Sequence, residues 1–229
     1  MREASKTNRV RDEAFYAKYF AGSVLDIGSG PDPVVPRARP FDREHGDANH
    51  ITRYLPGAAF DCVHSSHCLE HMDDARHALE QWWSLVRPGG YLIITVPDEE
   101  LYEQGFWPSQ FNVEHRSTFR LEGPPRSPVS YDLRALLSAL PGAELIDIFR
   151  QDEGYDHALR WTGPRALGRA LLWIDKYRRR RLRRHTEDVL TRAWTDAARW
   201  LHTPVDQTRL DALAQIQGIV RKASTAETR

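Results

Sequence analysis

The chain has 229 residues, enough for one sizeable domain with an added subdomain. Its 32 basic and 32 acidic residues cancel, so no global field draws it to nucleic acid or a membrane, and no apolar run approaches the roughly 18 residues needed to span one. Cys62 and Cys68 are too few for a disulfide framework and Met1 to Lys6 has no apolar signal core, which leads to the expectation of a reduced, cytoplasmic chain.

Residues 1–11 are polar and basic and read as a frayed tail in preference to a flap ordering over a ligand. Phe15, Tyr16, Tyr19 and Phe20 recur at helical spacing, and Gly22 is expected to close that helix. Val24-Leu25-Asp26-Ile27-Gly28-Ser29-Gly30 then reads as a strand buried on both faces and running into a tight glycine turn. Gly28 and Gly30 let the backbone bend and let a ligand approach where a Cβ would intervene. Asp26 sits near the carboxyl end of the strand, where open α/β sheets bind ligands. Pro33 stands where a dinucleotide fingerprint needs its third glycine, and no Gly-x-x-x-x-Gly-Lys-Ser/Thr occurs. The stretch resembles the glycine-rich motif of class I S-adenosylmethionine-dependent methyltransferases.

Pro31, Pro33, Pro36 and Pro40 then forbid an ordinary helix where that family has one between its first two strands. The resemblance implies an acidic residue for the cofactor's ribose at the tip of the second strand. Asp42 matches, with Glu44 as the alternative register, and a carboxylate can accept two hydrogen bonds from a diol. Gly46-Asp47-Ala48-Asn49 resembles the family's third element, which implies Asp47 and Ala48 beside the adenine. An ordinary Asx turn is the plainer alternative. Phe60 to Ser66 reads as the fourth strand, with Asp61 at its entrance; in the family its far end reaches the methyl-donor site.

A helix is predicted from about Ala75 to Val86, with Leu79, Trp82, Trp83 and Val86 on its buried side. Arg87-Pro88-Gly89-Gly90 ends it, and Tyr91 to Pro97 is a buried strand. The order from Leu69-Glu70-His71 through Arg87-Pro88-Gly89-Gly90 to Val96-Pro97 resembles the type 11 branch of these methyltransferases over roughly residues 12–150. The fold this implies is α/β: a Rossmann-like, seven-stranded, mostly parallel sheet with helices on both faces. The cofactor it implies is S-adenosylmethionine, held by Asp26, Gly28, Ser29, Gly30, Asp42, Asp47 and Ala48, by the backbone around Ser65 and Ser66, and by His67.

Residues 98–130 form a long irregular segment whose aromatic content argues for function over disorder. Tyr131 to Leu140 reads as an amphipathic helix and Glu144 to Phe149 as the sixth strand. Residues 155–207 are expected to be a helical, Arg-rich insertion within one domain of residues 1–229. One helix carries Leu167, Leu171, Ile174 and Tyr177, and another carries Val189, Ala193, Ala197 and Trp200. Residues 212–222 return as the last strand, antiparallel beside the fifth. The run Arg178 to Arg184 is either a solvated helix face or a contact for phosphate.

A hydroxyl acceptor must lose a proton as the methyl group moves, and histidine is suited to take it. His115, in the loop after the fifth strand, is the candidate base. His67 is read as a contact in the donor pocket, and His71 as an anchor for the start of the following helix. His64, His67, Cys68 and His71 invite a metal reading, but a strand turning into a loop and helix gives them no common centre, so no metal site is expected. The expected acceptor is a small-molecule or glycan hydroxyl, with nucleic acid the weaker partner. The alternatives are N- or C-methylation of a secondary metabolite, and a non-catalytic member that binds cofactor or partner.

Overall fold

The computed structural model describes residues 3–57, 59–182, 203–210 and 212–224. The helices are α1 (Glu3–Asn8), α2 (Glu13–Tyr19), α3 (Ala75–Ser84), α4 (Leu133–Ser138) and α5 (Arg165–Leu182). The strands are β1 (Val24–Ile27), β2 (Arg39–Phe41), β3 (Phe60–Ser66), β4 (Val86–Pro97), β5 (Thr118–Arg120), β6 (Ser130–Asp132), β7 (Ala143–Gln151) and β8 (Gln215–Lys222). Six of them form one sheet in the order β2-β1-β3-β4-β8-β7, while β5 and β6 pair apart from it. β2, β1, β3 and β4 are mutually parallel, and β8 runs antiparallel between β4 and β7, as expected for the last strand.

The register sorts the side chains into two cores. Leu25, Val63, Leu92 and Val220 lie side by side across the sheet and pack with Leu79, Trp82, Leu133 and Leu137 of α3 and α4. On the other face Val24, Cys62, Ile93 and Ile219 meet Tyr19, Phe20, Val34 and Val35. That second face turns polar toward the carboxyl ends of the parallel strands. Asp26 lies opposite His64, and Ser66, Thr95 and Gln217 form the next row. His64 donates from Nδ1 to Asp26 at 2.7 Å, leaving Nε2 to face the Arg11 guanidinium at 3.4 Å. Burial holds His64 below its ordinary pKa despite Asp26, so the imidazole is neutral. Burial likewise lowers Arg11 to about 10.

Several sequence expectations change. Residues 1–11 are no loose tail: α1 is seated on the polar rows, with Thr7 and Arg11 buried, Gln215 donating to the Thr7 hydroxyl and Arg11 donating to Gln217. The caps of α2 are Asp12 and Phe20; Gly22 lies beyond the helix, where a Cβ would stand 2.3 Å from the Asp61 carboxylate. The sheet has six strands among the described residues, against the expected seven. Where the sequence leads to the expectation of the family's third element, the chain forms a 3-10 segment, Ala48–Arg53, capped by Asp47 and packed on α3. The helix expected from Tyr131 is α4, a short one capped by Asp132 and preceded by β6. His71 does not anchor the start of α3, whose first backbone N–H groups are capped by Asp74.

The β1–β2 connector contains turns and no helix, closed by Asp32 N–H to Ser29 O and Ala38 N–H to Val35 O. The first helix of the expected insertion is α5; the second, and Arg183 and Arg184 of the arginine run, lie outside the described residues. Among the described residues no helix is long and apolar enough to cross a membrane.

Asp26→Ala strands the buried His64 Nδ1–H and Val34 N–H, and a loss of about 3–5 kcal/mol in urea unfolding is expected. Because His64 is neutral when folded and ordinary when unfolded, the unfolded state binds the extra proton below about pH 6.5. Stability therefore falls as pH drops through that value, and His64→Asn flattens the slope; equal slopes in the two proteins refute the assignment.

Candidate active site

The glycine turn is fixed by two carboxylates. Asp26 is 1% exposed and accepts from Val34 N–H at 2.7 Å as well as from His64, so it ties the far end of the turn back to its own strand. Asp42, at the tip of β2, accepts from Gly30 N–H and from Arg43 N–H, both at 2.7 Å. Gly28 has φ +76°, and a Cβ there would stand 2.6 Å from Cys68 Cβ. Gly30 has φ +53° and opens outward, with Ser29 half-buried beside it. The turn is also held from outside, by Ser5 of α1 donating to Asp32 through N–H at 2.9 Å and Oγ at 2.5 Å.

Asp47 is exposed and accepts from Asn49 N–H and from its side-chain amide, which hold it below the usual carboxylate range. Ala48 packs against the core, and its carbonyl takes the indole N–H of Trp82. Glu44, the alternative to Asp42, is exposed. At the end of β3 the Ser66 hydroxyl is buried and has no hydrogen-bond partner among the described residues, as is the Thr95 hydroxyl opposite it. The Ser65 hydroxyl lies beside the Cys68 thiol. Two unpaired hydroxyls at a strand end, next to a glycine turn and a carboxylate at the β2 tip, suit a polar nucleoside-type ligand. His67 follows at φ 53°, its N–H on Thr95 O and its Nε2 on Gln215 Oε1 at 2.8 Å.

Beyond His67 the chain makes a short 3-10 turn, Leu69–His71, and here the sequence missed the central group. Glu70 is 1% exposed, and neither carboxylate oxygen has a hydrogen bond of ordinary geometry among the described residues. Around Oε1 stand His67 Nδ1 at 3.5 Å, His71 Nε2 at 4.0 Å and His115 Nε2 at 4.0 Å. Burial pushes the Glu70 carboxyl up, but these imidazoles outweigh it and hold Glu70 below the usual carboxylate range.

The loop after β4 delivers the remaining groups. Asp98 caps its first turn by accepting from Glu100 and Leu101 N–H, with Arg150 as its ion-pair partner at 2.6 Å. That turn leads to Glu103, which is 2% exposed and accepts from His115 Nδ1 at 2.7 Å. The return of the loop is pinned by Arg116 and Ser117 N–H, both donating to the Glu70 carbonyl. His71 Nδ1 donates to Glu114 O at 3.1 Å, so this histidine tethers the loop carrying His115. The rings of Tyr102 and His71 flank His115 at 5.3 and 5.0 Å.

The donor-type groups and this cluster adjoin, since Cys68 packs on Gly28 two residues before Glu70. Of the residues expected from the sequence, Gly28, Ser29, Gly30 and Asp42 gather at the turn, Ser66 and His67 at the strand end, and His115 at the cluster. Asp26 lies beneath the turn in the interior, and Asp47 and Ala48 belong to the neighbouring 3-10 segment. Glu70 and Glu103 were missed; the signal was their place in Leu69-Glu70-His71 and in the acidic Glu99-Glu100-Leu101-Tyr102-Glu103 piece.

A family profile described as a methyltransferase domain matches residues 5–123. Uncharacterised methyltransferases of Mycobacterium tuberculosis and Mycobacterium bovis are 36% identical over 81 residues, 33% of this chain and 40% of theirs, so the chain spans less than half the length of these curated relatives. Among solved structures, a S-adenosylmethionine-dependent methyltransferase from Archaeoglobus fulgidus is 16% identical, with 97% of this chain and 95% of that one covered at TM-score 0.48. The YcgJ protein from Bacillus subtilis is 14% identical, with coverages of 89% and 92% at TM-score 0.46.

Gly28→Ala combines a left-handed backbone with a clash against Cys68 and is expected to cost about 2–5 kcal/mol in thermal or urea unfolding. Gly57→Ala, also at positive φ but with open space around it, is expected to cost only the backbone part, about 1–2 kcal/mol. Equal losses at the two positions would refute the packing argument.

Proposed function

The chain belongs to the methyltransferase-domain family, and from that premise we propose that it transfers the methyl group of S-adenosylmethionine to a hydroxyl of a small molecule or glycan. The cofactor supplies an activated methyl on a sulfonium sulfur. Everything else is placement and proton handling by this chain. Asp42 meets the ribose diol through the lone pairs its two backbone contacts leave free. Gly28, Ser29 and Gly30 present backbone to the methionine end, Asp47 and Ala48 border the adenine, and the Ser65–Ser66 strand end with His67 closes the sulfur side. Asp26 acts one step back, by holding Val34 and so the turn.

The observation that carries the hydroxyl reading is the buried His115–Glu103 pair. Glu103 accepts a hydrogen bond from Nδ1–H, which favours the tautomer whose Nε2 lone pair is free to act as a base toward an acceptor oxygen. An aliphatic hydroxyl needs such a group, because positive charge leaves sulfur while an oxygen nucleophile must shed its proton. A neutral amine needs none before attack. In balance, the oxygen pair forms the O–C bond, the C–S pair returns to sulfur, and the hydroxyl proton passes to the base.

Calorimetry with S-adenosylmethionine is expected to give one site per chain, with Asp42→Ala weakening it about tenfold or more. Transfer of labelled methyl to a panel of sugar and small-molecule alcohols is expected to fall by about 10²–10⁴ in His115→Ala, with donor affinity kept. An unchanged rate in His115→Ala, or transfer confined to amines, would overturn the hydroxyl reading.

A further inference from the structure

The Glu70–His71–His115 cluster has a feature that a proton-relay role leaves unexplained. Two imidazoles and one carboxylate direct one donor atom each toward a common centre, all within 4.8 Å of one another. Each histidine has its other nitrogen tied. His115 Nδ1 donates to the Glu103 carboxylate at 2.7 Å, and His71 Nδ1 donates to the Glu114 carbonyl at 3.1 Å. Both rings therefore turn Nε2 toward Glu70. When both rings are neutral their Nε2 lone pairs face a buried carboxylate, so either an imidazole proton or a bound cation must lie between them. An outward Nδ1–H held by a carboxylate or a carbonyl is the arrangement that orients histidines bound to metals.

We propose that Glu70, His71 and His115 bind a divalent first-row transition cation of the zinc type, with an open coordination position for the acceptor oxygen; His115 Nε2 is then a ligand, and the cation takes over the task of the free imidazole. Two nitrogens and one carboxylate oxygen suit zinc, cobalt, iron or manganese, whereas magnesium prefers oxygen donors alone. Oε1 to each Nε2 is 4.0 Å, so the three groups need close by less than about 1 Å to reach zinc's bond lengths of ~2.0–2.1 Å. The backbone favours that closure, since the Glu70 carbonyl already grips the loop on which His115 rides. Glu70 keeps Oε2 for a second contact, and Glu103 keeps its own Oε2 unpaired beside His115. With three protein ligands the site has the composition of a catalytic centre and not of a closed structural one. A Lewis acid there lowers the pKa of a hydroxyl brought to the open position, and the proton leaves to solvent.

The assignment of the open position rests on the methyl-transfer reading; the cation site itself does not. The test uses untagged full-length chain, stripped with chelator and titrated with Co²⁺ and Zn²⁺. One equivalent per chain is expected, with a visible cobalt absorption band that zinc abolishes and magnesium in large excess leaves intact. His71→Ala, a half-buried position 43 residues from its tether Glu114, is expected to fold, as checked by circular dichroism, and to weaken cobalt binding at least tenfold. His115→Ala and Glu70→Gln should do the same, while His77→Ala on α3 should not. Absence of stoichiometric binding by folded wild-type chain, or wild-type affinity in folded His71→Ala, overturns the proposal. If methyl transfer then continues in chelated protein and fails in His115→Ala, the base reading stands without the metal. If cobalt binds but S-adenosylmethionine does not, the methyl-transfer reading falls and the cation site stands.

Discussion

The carbonyl of Glu70 receives the N–H groups of both Arg116 and Ser117, and through that double contact two distant segments become one site. The 3-10 turn after β3 carries Glu70 and His71, and the loop after β4 carries Glu103 and His115. A 46-residue separation in sequence is closed by backbone bonds at the position of the buried carboxylate itself, so the side chains of 70 and 115 cannot drift apart without breaking them. Burying an acidic side chain is costly unless other charges or dipoles meet it. The fold accepts that cost here and surrounds Glu70 with three imidazoles.

The same economy governs the sheet's other face. A purely apolar surface over His64, Gln215 and Gln217 would strand their polar atoms, so α1 and the segment after it bring polar groups inward. Arg11 reaches Gln217 and His64 while its guanidinium rests over the rings of Phe15 and Phe20 at 5.0 and 5.7 Å. Its aliphatic stem and planar head satisfy the apolar and polar parts of that boundary together.

This explains which parts of the molecule could be read in the sequence. Gly28, Gly30 and Asp42 are legible because their roles are local: a turn demanding positive φ and a carboxylate one strand tip away. The strands at Val24–Ile27 and from Tyr91 to Pro97 are legible because they are largely apolar runs, whereas β2 is only Arg39–Phe41 and β3 carries Asp61, His64, Ser65 and Ser66. Thr7 and Arg11 look like parts of a solvated tail, and only the polar rows on the sheet, visible once Gln215 and Gln217 are in register with β4, make them interior residues. Asp47 reads as a ligand residue by resemblance, with an ordinary turn as the alternative, and the local bond to Asn49 N–H is made in the structure. Glu70 and Glu103 are hidden for another reason. An acidic residue in a polar stretch is ordinarily solvated, so their places in Leu69-Glu70-His71 and in the piece from Glu99 to Glu103 mark them only weakly, and their meeting with His115 comes from tertiary closure.

The missing helix between β1 and β2 has a structural consequence for the donor side. Without a helix N-terminus behind the glycine turn, there is no aligned set of backbone dipoles to fix it or to favour an anion. The turn is instead fixed by side chains: Asp26 on Val34 N–H, Asp42 on Gly30 N–H, Ser5 on Asp32 and the Asn8 amide on Val34 O. Two of those four come from α1, so the turn is as firm as the seat of that helix. The seat is Thr7, which receives a hydrogen bond from Gln215, and Gln215 in turn accepts from His67 beside Glu70. A chain of contacts thus runs from Asp32 at the glycine turn through the exposed Ser5 and α1 to the buried Thr7 and Gln215, and on through half-buried His67 to Glu70, so a change in α1 reaches both halves of the site.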